Sequence, residues 1–218
     1  MAAATFGHAA TEYNQAIVVC GGCTSAGDVC SAACEQYSIG ATSWTPMPPM
    51  PGTGVQDFVL LNLDTYGMFA MGGWNGYVVG SDTAAVHKFD GTTWTTKTNM
   101  MSGPIHAHAG TWFGVSTVGL VCGGLVKNVP TKTCYTYASA NDMWSLFPSS
   151  LNTARSWHGM VIYNGSPYVF GGSTATTAFD NTVEKYTANS GGWQVLTTVK
   201  MAAGDYDFAV VPLTGVPH

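Results

Sequence analysis

The chain has 218 residues, 46% of them hydrophobic and only 9% charged, with 7 Lys and Arg against 12 Asp and Glu and a formal net charge of −5. So few cations leave no electrostatic footprint for nucleic acid or an anionic membrane surface, and the apolar fraction excludes a disordered chain. The 27 Gly and 10 Pro sit among Val, Thr, Tyr, Phe and Trp, the vocabulary of strands and tight turns, which predicts an all-β chain.

From the N-terminus, Met1 to Thr5 shows neither the basic head nor the apolar stretch of a secretory signal, so no targeting peptide is visible. No apolar run approaches the ~18 residues that would span a bilayer, and membrane insertion is not expected. A first unit then carries His8, an apolar run closed by Gly21-Gly22, Tyr37 and Trp44. A second repeats this order with Phe58, Gly72-Gly73, Phe89 and Trp94, and a third with His108, Gly123-Gly124, Tyr137 and Trp144. The fourth has His158, Gly171-Gly172, Tyr186 and Trp193. The glycine pairs are spaced 51, 51 and 48 residues and the tryptophans 50, 50 and 49. Such self-similarity is the mark of a repeat architecture.

Each unit reads as four short strands: one after the His or Phe, one ending at Gly-Gly, one with the Tyr or Phe, and one with the Trp. A tight turn joins the first two, clearest at Asn164-Gly165, a dipeptide suited to positive φ. Apolar residues run continuously through these two strands, so both faces of the sheet are covered. A four-stranded sheet packed between copies of itself is a propeller blade. The blades fall at about 1–50, 51–101, 102–150 and 151–201 of a single region covering 1–218. Residues 202–218 read as the first strand of a further blade, because Asp205 to Val211 resembles Gln56 to Leu61. Both termini then claim the same structural role. A longer propeller of about six or seven blades, completion by another copy of the chain, or an end that is not a propeller strand would each resolve this, and the lack of a signal peptide favours the first.

The order apolar strand, Gly-Gly, Val-Glu-x-Tyr, Trp and Met resembles the Kelch repeat across essentially the whole chain. The likeness is fullest in the fourth unit: Arg155, His158, Val169-Phe170-Gly171-Gly172, Val183-Glu184-Lys185-Tyr186, Trp193 and Met201. The second unit departs at Phe58 and Phe89, and the third has a stretched first hairpin around Gly110 to Val118. The resemblance implies a β-propeller of four-stranded antiparallel blades that serves mostly as a binding platform. The glycine pairs read as structural, since no helix follows them to make a phosphate loop.

Cys20 and Cys122 both precede a glycine pair, and Cys34 and Cys134 both sit on third strands. Blades 2 and 4 carry Met71 with Val86 and Phe170 with Val183 at these positions. A cysteine pair thus replaces an apolar cross-strand pair, at a separation a disulfide requires. The expected bridges are Cys20–Cys34 and Cys122–Cys134, with Cys23–Cys30 closing the intervening loop; a zinc site is the weaker reading. Six paired cysteines point to an extracellular chain or one on the surface of an extracellular particle.

Strand alternation gathers the loops between second and third strands, and those between blades, on one face. There Trp74, Asn75, Tyr77, Met100, Met101, Arg155, Trp157, Asp205 and Tyr206 form a candidate binding face. No cofactor and no catalytic constellation is recognisable; His106 and His108, two residues apart on one strand edge, are the closest to a metal pair. The leading expectation is a non-enzymatic interaction or structural module whose partners are other protein chains, further copies of itself or the rest of a longer propeller. Carbohydrate recognition is the alternative, and a fragment of a secreted copper radical oxidase, which the Kelch resemblance also admits, comes last.

Overall fold

The computed structural model describes residues 5–24, 29–76, 80–188, 191–208 and 210. Its first antiparallel sheet consists of β1 (Ala9–Tyr13), β2 (Ala16–Cys20), β3 (Cys34–Ser38) and β4 (Thr45–Met47), in sequence order. The second contains β5 (Val59–Asn62), β6 (Met68–Met71), β7 (Val86–Phe89) and β8 (Trp94–Lys97) in the same order. In the third, β9 (Ala109–Phe113) and β10 (Val115–Cys122) are followed by a small side hairpin, β11 (Leu125–Val126) and β12 (Val129–Pro130), before β13 (Cys134–Ala138) and β14 (Met143–Leu146) complete the sheet. The pair β15 (Arg155–Ser156) and β18 (Ser173–Thr174) brackets the fourth sheet, made of β16 (Gly159–Tyr163), β17 (Ser166–Phe170), β19 (Thr182–Thr187) and β20 (Gly192–Lys200). These are four propeller blades, and among the described residues no helix is long and apolar enough to cross a membrane.

Alternation along the second strands explains why both faces are apolar. Met68 and Ala70 of β6 point into a cluster with Val18, Cys20 and Cys34 of blade 1. Phe69 and Met71, one residue out of phase, point into a cluster with Val121, Tyr137 and Trp144 of blade 3. A third cluster joins Leu120, Cys122 and Cys134 to Met160, Val169 and Trp193. The aromatic markers pack backward onto the preceding blade, and the indole N–H groups of Trp94 and Trp144 donate to Pro48 O (2.9 Å) and Thr98 O (3.2 Å). Tyr37 and Trp44 of blade 1, both half-buried, tilt against each other, ring centroids 5.5 Å apart. The Pro-rich segment after β4 is structural, since Pro48 receives that bond and Met50 is buried against blade 2.

The glycine pairs are where consecutive blades touch. A Cβ on Gly72 would lie 2.8 Å from the His108 ring, and Gly21 and Gly171 meet Phe58 and Phe208 in the same way. The second glycines, Gly22, Gly73, Gly124 and Gly172, donate their N–H to Val55, Ile105, Arg155 and Asp205, each at 2.8 Å. Every one of the eight has positive φ, so a side chain would be strained as well as blocked. The stretched hairpin of blade 3 takes the form of a register shift between Val115 and Gly119.

First strands pack in the order β1, β5, β9, β16. His8, in front of β1, is exposed, whereas Phe58, His108 and His158 are buried. At the other end Phe208 packs on Gly159 and Gly171, and the contacts of Asp205 and Phe208 with blade 4 match those of Val55 and Phe58 with blade 1. Residues 202–208 nevertheless form no strand, having no described second strand to pair with; Ala209 and Val211 to His218 lie outside the described residues.

Three disulfides, Cys20–Cys34, Cys23–Cys30 and Cys122–Cys134, account for all six cysteines. Cys20 lies directly opposite Cys34 in the ladder and Cys122 opposite Cys134, as replacement of an apolar cross-strand pair requires.

Candidate functional site: the axial mouth

One position per repeat breaks the blade pattern. Gly7, Asp57, Ala107, Trp157 and Asp207 immediately precede the residue that packs against the glycine pairs, and all have φ between 50° and 66°. Their backbones form a hydrogen-bonded chain around the axis: Asp57 N–H donates to Gly7 O, Ala107 to Asp57 and Trp157 to Ala107 at 2.8 Å, and Asp207 to Trp157 at 2.9 Å. The left-handed turn takes these side chains out of the blade interfaces. They rim an axial cavity of about 660 Å³ that is also lined by His8, Phe58, His108 and His158.

On this rim the Trp157 indole donates to Asp57 Oδ2 at 3.2 Å. Burial pushes the Asp57 carboxyl up to about 6; the bond from Trp157 opposes the rise and the charge of Asp207 adds to it. Trp157 also begins a continuous contact of rings across the face. Its ring lies 6.1 Å from that of His106, which stacks on Trp74 at 5.5 Å. On the other side Tyr206 is 6.2 Å away, with Phe179 5.2 Å beyond it. Tyr206 and Phe179 are 43% and 58% exposed, so the row opens to solvent at one end. His106 is clamped below it by Asp82, Nδ1 to Oδ1 2.6 Å; burial nonetheless holds the imidazole below its ordinary value against the pull of that carboxylate.

Of the residues expected on this face, Trp74, Trp157 and Tyr206 come together in the aromatic row. Asn75 is exposed and donates to Thr53 Oγ1 at 2.8 Å. Asp205 is exposed, its carboxylate accepting from Tyr206 N–H, and Met101 is exposed on the segment between blades 2 and 3. Tyr77 lies outside the described residues. Two expectations are corrected. Met100 is buried in the cluster between blades 2 and 3, because its backbone N–H is tied to Ala84 O and turns the side chain inward. Arg155 is fully buried: its guanidinium donates to Glu184 Oε1 (2.9 Å) and Thr182 Oγ1 (3.0 Å), with Asp180 at 3.7 Å. Glu184 also accepts from Asn152 and Thr153, so the ion pair locks blade 4 to its entry segment.

His106 and His108 do not converge either. Ala107, at φ 54°, turns the chain between them, so that His106 stacks on Trp74 while His108 packs against Gly72 between blades. Among the described residues no three His, Cys, Asp or Glu side chains group to hold a metal ion. His108 and His158 are pushed by burial down to about 3 and stand as neutral rings against the glycine pairs. The sequence reading missed Asp57, Asp82 and Phe179, and gave His106 no part in the face.

Residues 4–51 match the Kelch motif. A solved chain described as the structure of YjhT superposes with a TM-score of 0.76 at 14% sequence identity, over 94% of this chain and 69% of that one. No curated protein matches the sequence significantly. The chain has the β-propeller fold, and its first blade carries a Kelch motif.

Proposed function

We propose that the chain is a recognition propeller that binds a partner protein at the axial mouth, in an extracellular or particle-associated assembly, without catalysing a reaction. The observation that carries this is the row Trp74, His106, Trp157, Tyr206 and Phe179. Its aromatic rings come from loops of different blades, and the row runs from a half-buried Trp74 to an exposed Phe179. Large aromatic side chains held rigid by neighbours lose little entropy on binding and dominate interface energetics. The three disulfides support an oxidising, extracellular setting. The repeat-like contacts of Asp205 and Phe208 support reading residues 202–218 as the start of a further blade. The half-buried Tyr37 and Trp44 of blade 1 offer aromatic surface that more blades or a second copy would cover. Sedimentation of the native species separates those two cases.

The test is photo-crosslinking with Tyr206→p-benzoylphenylalanine in native extracellular fluid, beside Asn164→p-benzoylphenylalanine on an exposed hairpin tip. A discrete protein adduct at 206 and none at 164 is the expected result; equal labelling contradicts the proposal. Carbohydrate recognition is a second reading, favoured by a tryptophan flanked by the carboxylates of Asp57 and Asp207, which suits sugar stacking and hydroxyl binding. Glycan-array binding lost on Trp157→Ala would promote it. The oxidase alternative lacks a residue set, because no thiol is left to crosslink to a tyrosine.

A further inference from the structure

We propose that the contact between His106 and Asp82 makes the aromatic row acid-sensitive: a proton taken up by His106 places a cation between Trp74 and Trp157, and the partner protein is released. This rests on the protein-recognition reading and adds the regulation of that site.

His106 is the middle of the row and 4% exposed, with Trp74 stacked on it at 5.5 Å and Trp157 in edge contact at 6.1 Å. Its equivalents in the repeat are Phe6, Gln56, Ser156 and Tyr206, none of which gains a proton in mild acid. Asp82, its side chain 10% exposed, stands 2.6 Å from Nδ1, which has no other partner among the described residues. A proton on the ring therefore turns a carboxylate facing a neutral imidazole into one facing a cation, and the counter-ion is already in place. His108 and His158 are equally buried, but their ring nitrogens have no such partner, and burial keeps them neutral down to about 3. Of these three histidines His106 is the first to gain charge as pH falls. A partner that covers the row strips water from His106, which disfavours the charged ring, so binding weakens as pH drops below about 6.5. Lys127 lines the cleft beside Asp82, His108 follows two residues on, and Asp57 with Asp207 lies beyond Trp157. Asp57 acts with the opposite sign, since further burial favours its neutral form and strengthens binding in acid.

The experiment compares the adduct formed by Tyr206→p-benzoylphenylalanine in native extracellular fluid at about pH 7.5 and about pH 5, in the parent and in His106→Gln. Glutamine is the residue blade 2 carries here, and Gln56 bridges Trp74 through its backbone as His106 bridges Leu125, so the substitution removes the proton site and keeps the local pairing. The adduct is expected to fall at least about fivefold in acid in the parent and to change by less than about twofold in His106→Gln. In ¹⁵N spectra of the whole chain, the His106 ring is expected to protonate at higher pH than His108 and His158, and at lower pH in Asp82→Asn than in the parent. The indole N–H resonance of Trp94, bonded to Pro48, reports that the blades remain packed at the acid point. Equal acid loss in the parent and in His106→Gln, no acid loss in the parent, or a His106 ring still neutral at about pH 5 would each overturn the proposal and leave the protein-recognition reading standing. Absence of the parent adduct at about pH 7.5 would instead remove that reading itself.

Discussion

The interfaces between blades and the mouth of the axis are built from the same repeat and follow opposite rules. At the interfaces, equivalent positions keep one physical role: Phe58, His108, His158 and Phe208 all fill the space that a glycine leaves. At the mouth, one residue earlier, only the backbone repeats: Gly7, Asp57, Ala107, Trp157 and Asp207 share a left-handed φ and a hydrogen-bonded chain but no side-chain chemistry. A scaffold is specified where repeats agree, and a recognition surface is available where they diverge.

The comparison breaks most visibly if an interface residue proves dispensable. Arg155→Ala leaves Glu184 buried without its cation and is expected to cost about 3–5 kcal/mol, read by chemical denaturation. Acid comes next. His108 and His158 stay neutral in the fold down to about 3, whereas an unfolded histidine is protonated below about 6.5. The unfolded chain therefore binds more protons across that window, and stability is full above about 6.5 and falls as pH drops through it. Asp57, raised from its ordinary 3.8 to about 6, works in the opposite direction over its own window and offsets part of the loss. His158→Phe, which copies Phe58 of blade 2, is expected to flatten the acid limb of a melting-temperature profile; an unchanged limb would place the acid sensitivity elsewhere.

The disulfides come third: Cys20→Ala with Cys34→Ala reopens a short loop and is expected to cost about 3 kcal/mol. A smaller effect, opposite in sign, is expected at the mouth. Ala107→Gly removes a Cβ from a left-handed position and should raise stability by about 0.5–1 kcal/mol, visible as a shifted denaturation midpoint.

The same contrast governs what could be read from the sequence. Gly-Gly, Trp and the paired cysteines were legible because each answers a need that recurs in every blade or alternates with an apolar pair of similar size. The mouth was only partly legible, since Ala107 and Trp157 carry no sign of positive φ and their equivalence rests on register alone. Met100 and Arg155 adjoin the loops in sequence but turn inward, and sequence position does not give that direction. Asp57 and Phe179 belong to different blades and acquire a shared role only after the rings of Trp157 and Tyr206 bridge them.

The central claim, that the aromatic row recognises a partner while the blade interfaces hold the fold, is tested most directly by one paired measurement on Phe179→Ala with Tyr206→Ala. Denaturation of this variant is measured beside photo-crosslinking from Met101→p-benzoylphenylalanine, an exposed position on the segment between blades 2 and 3, in both backgrounds. The account predicts stability within about 1 kcal/mol of the parent, because both rings are exposed, and loss of the partner adduct. An undiminished adduct in a variant that remains folded would contradict it.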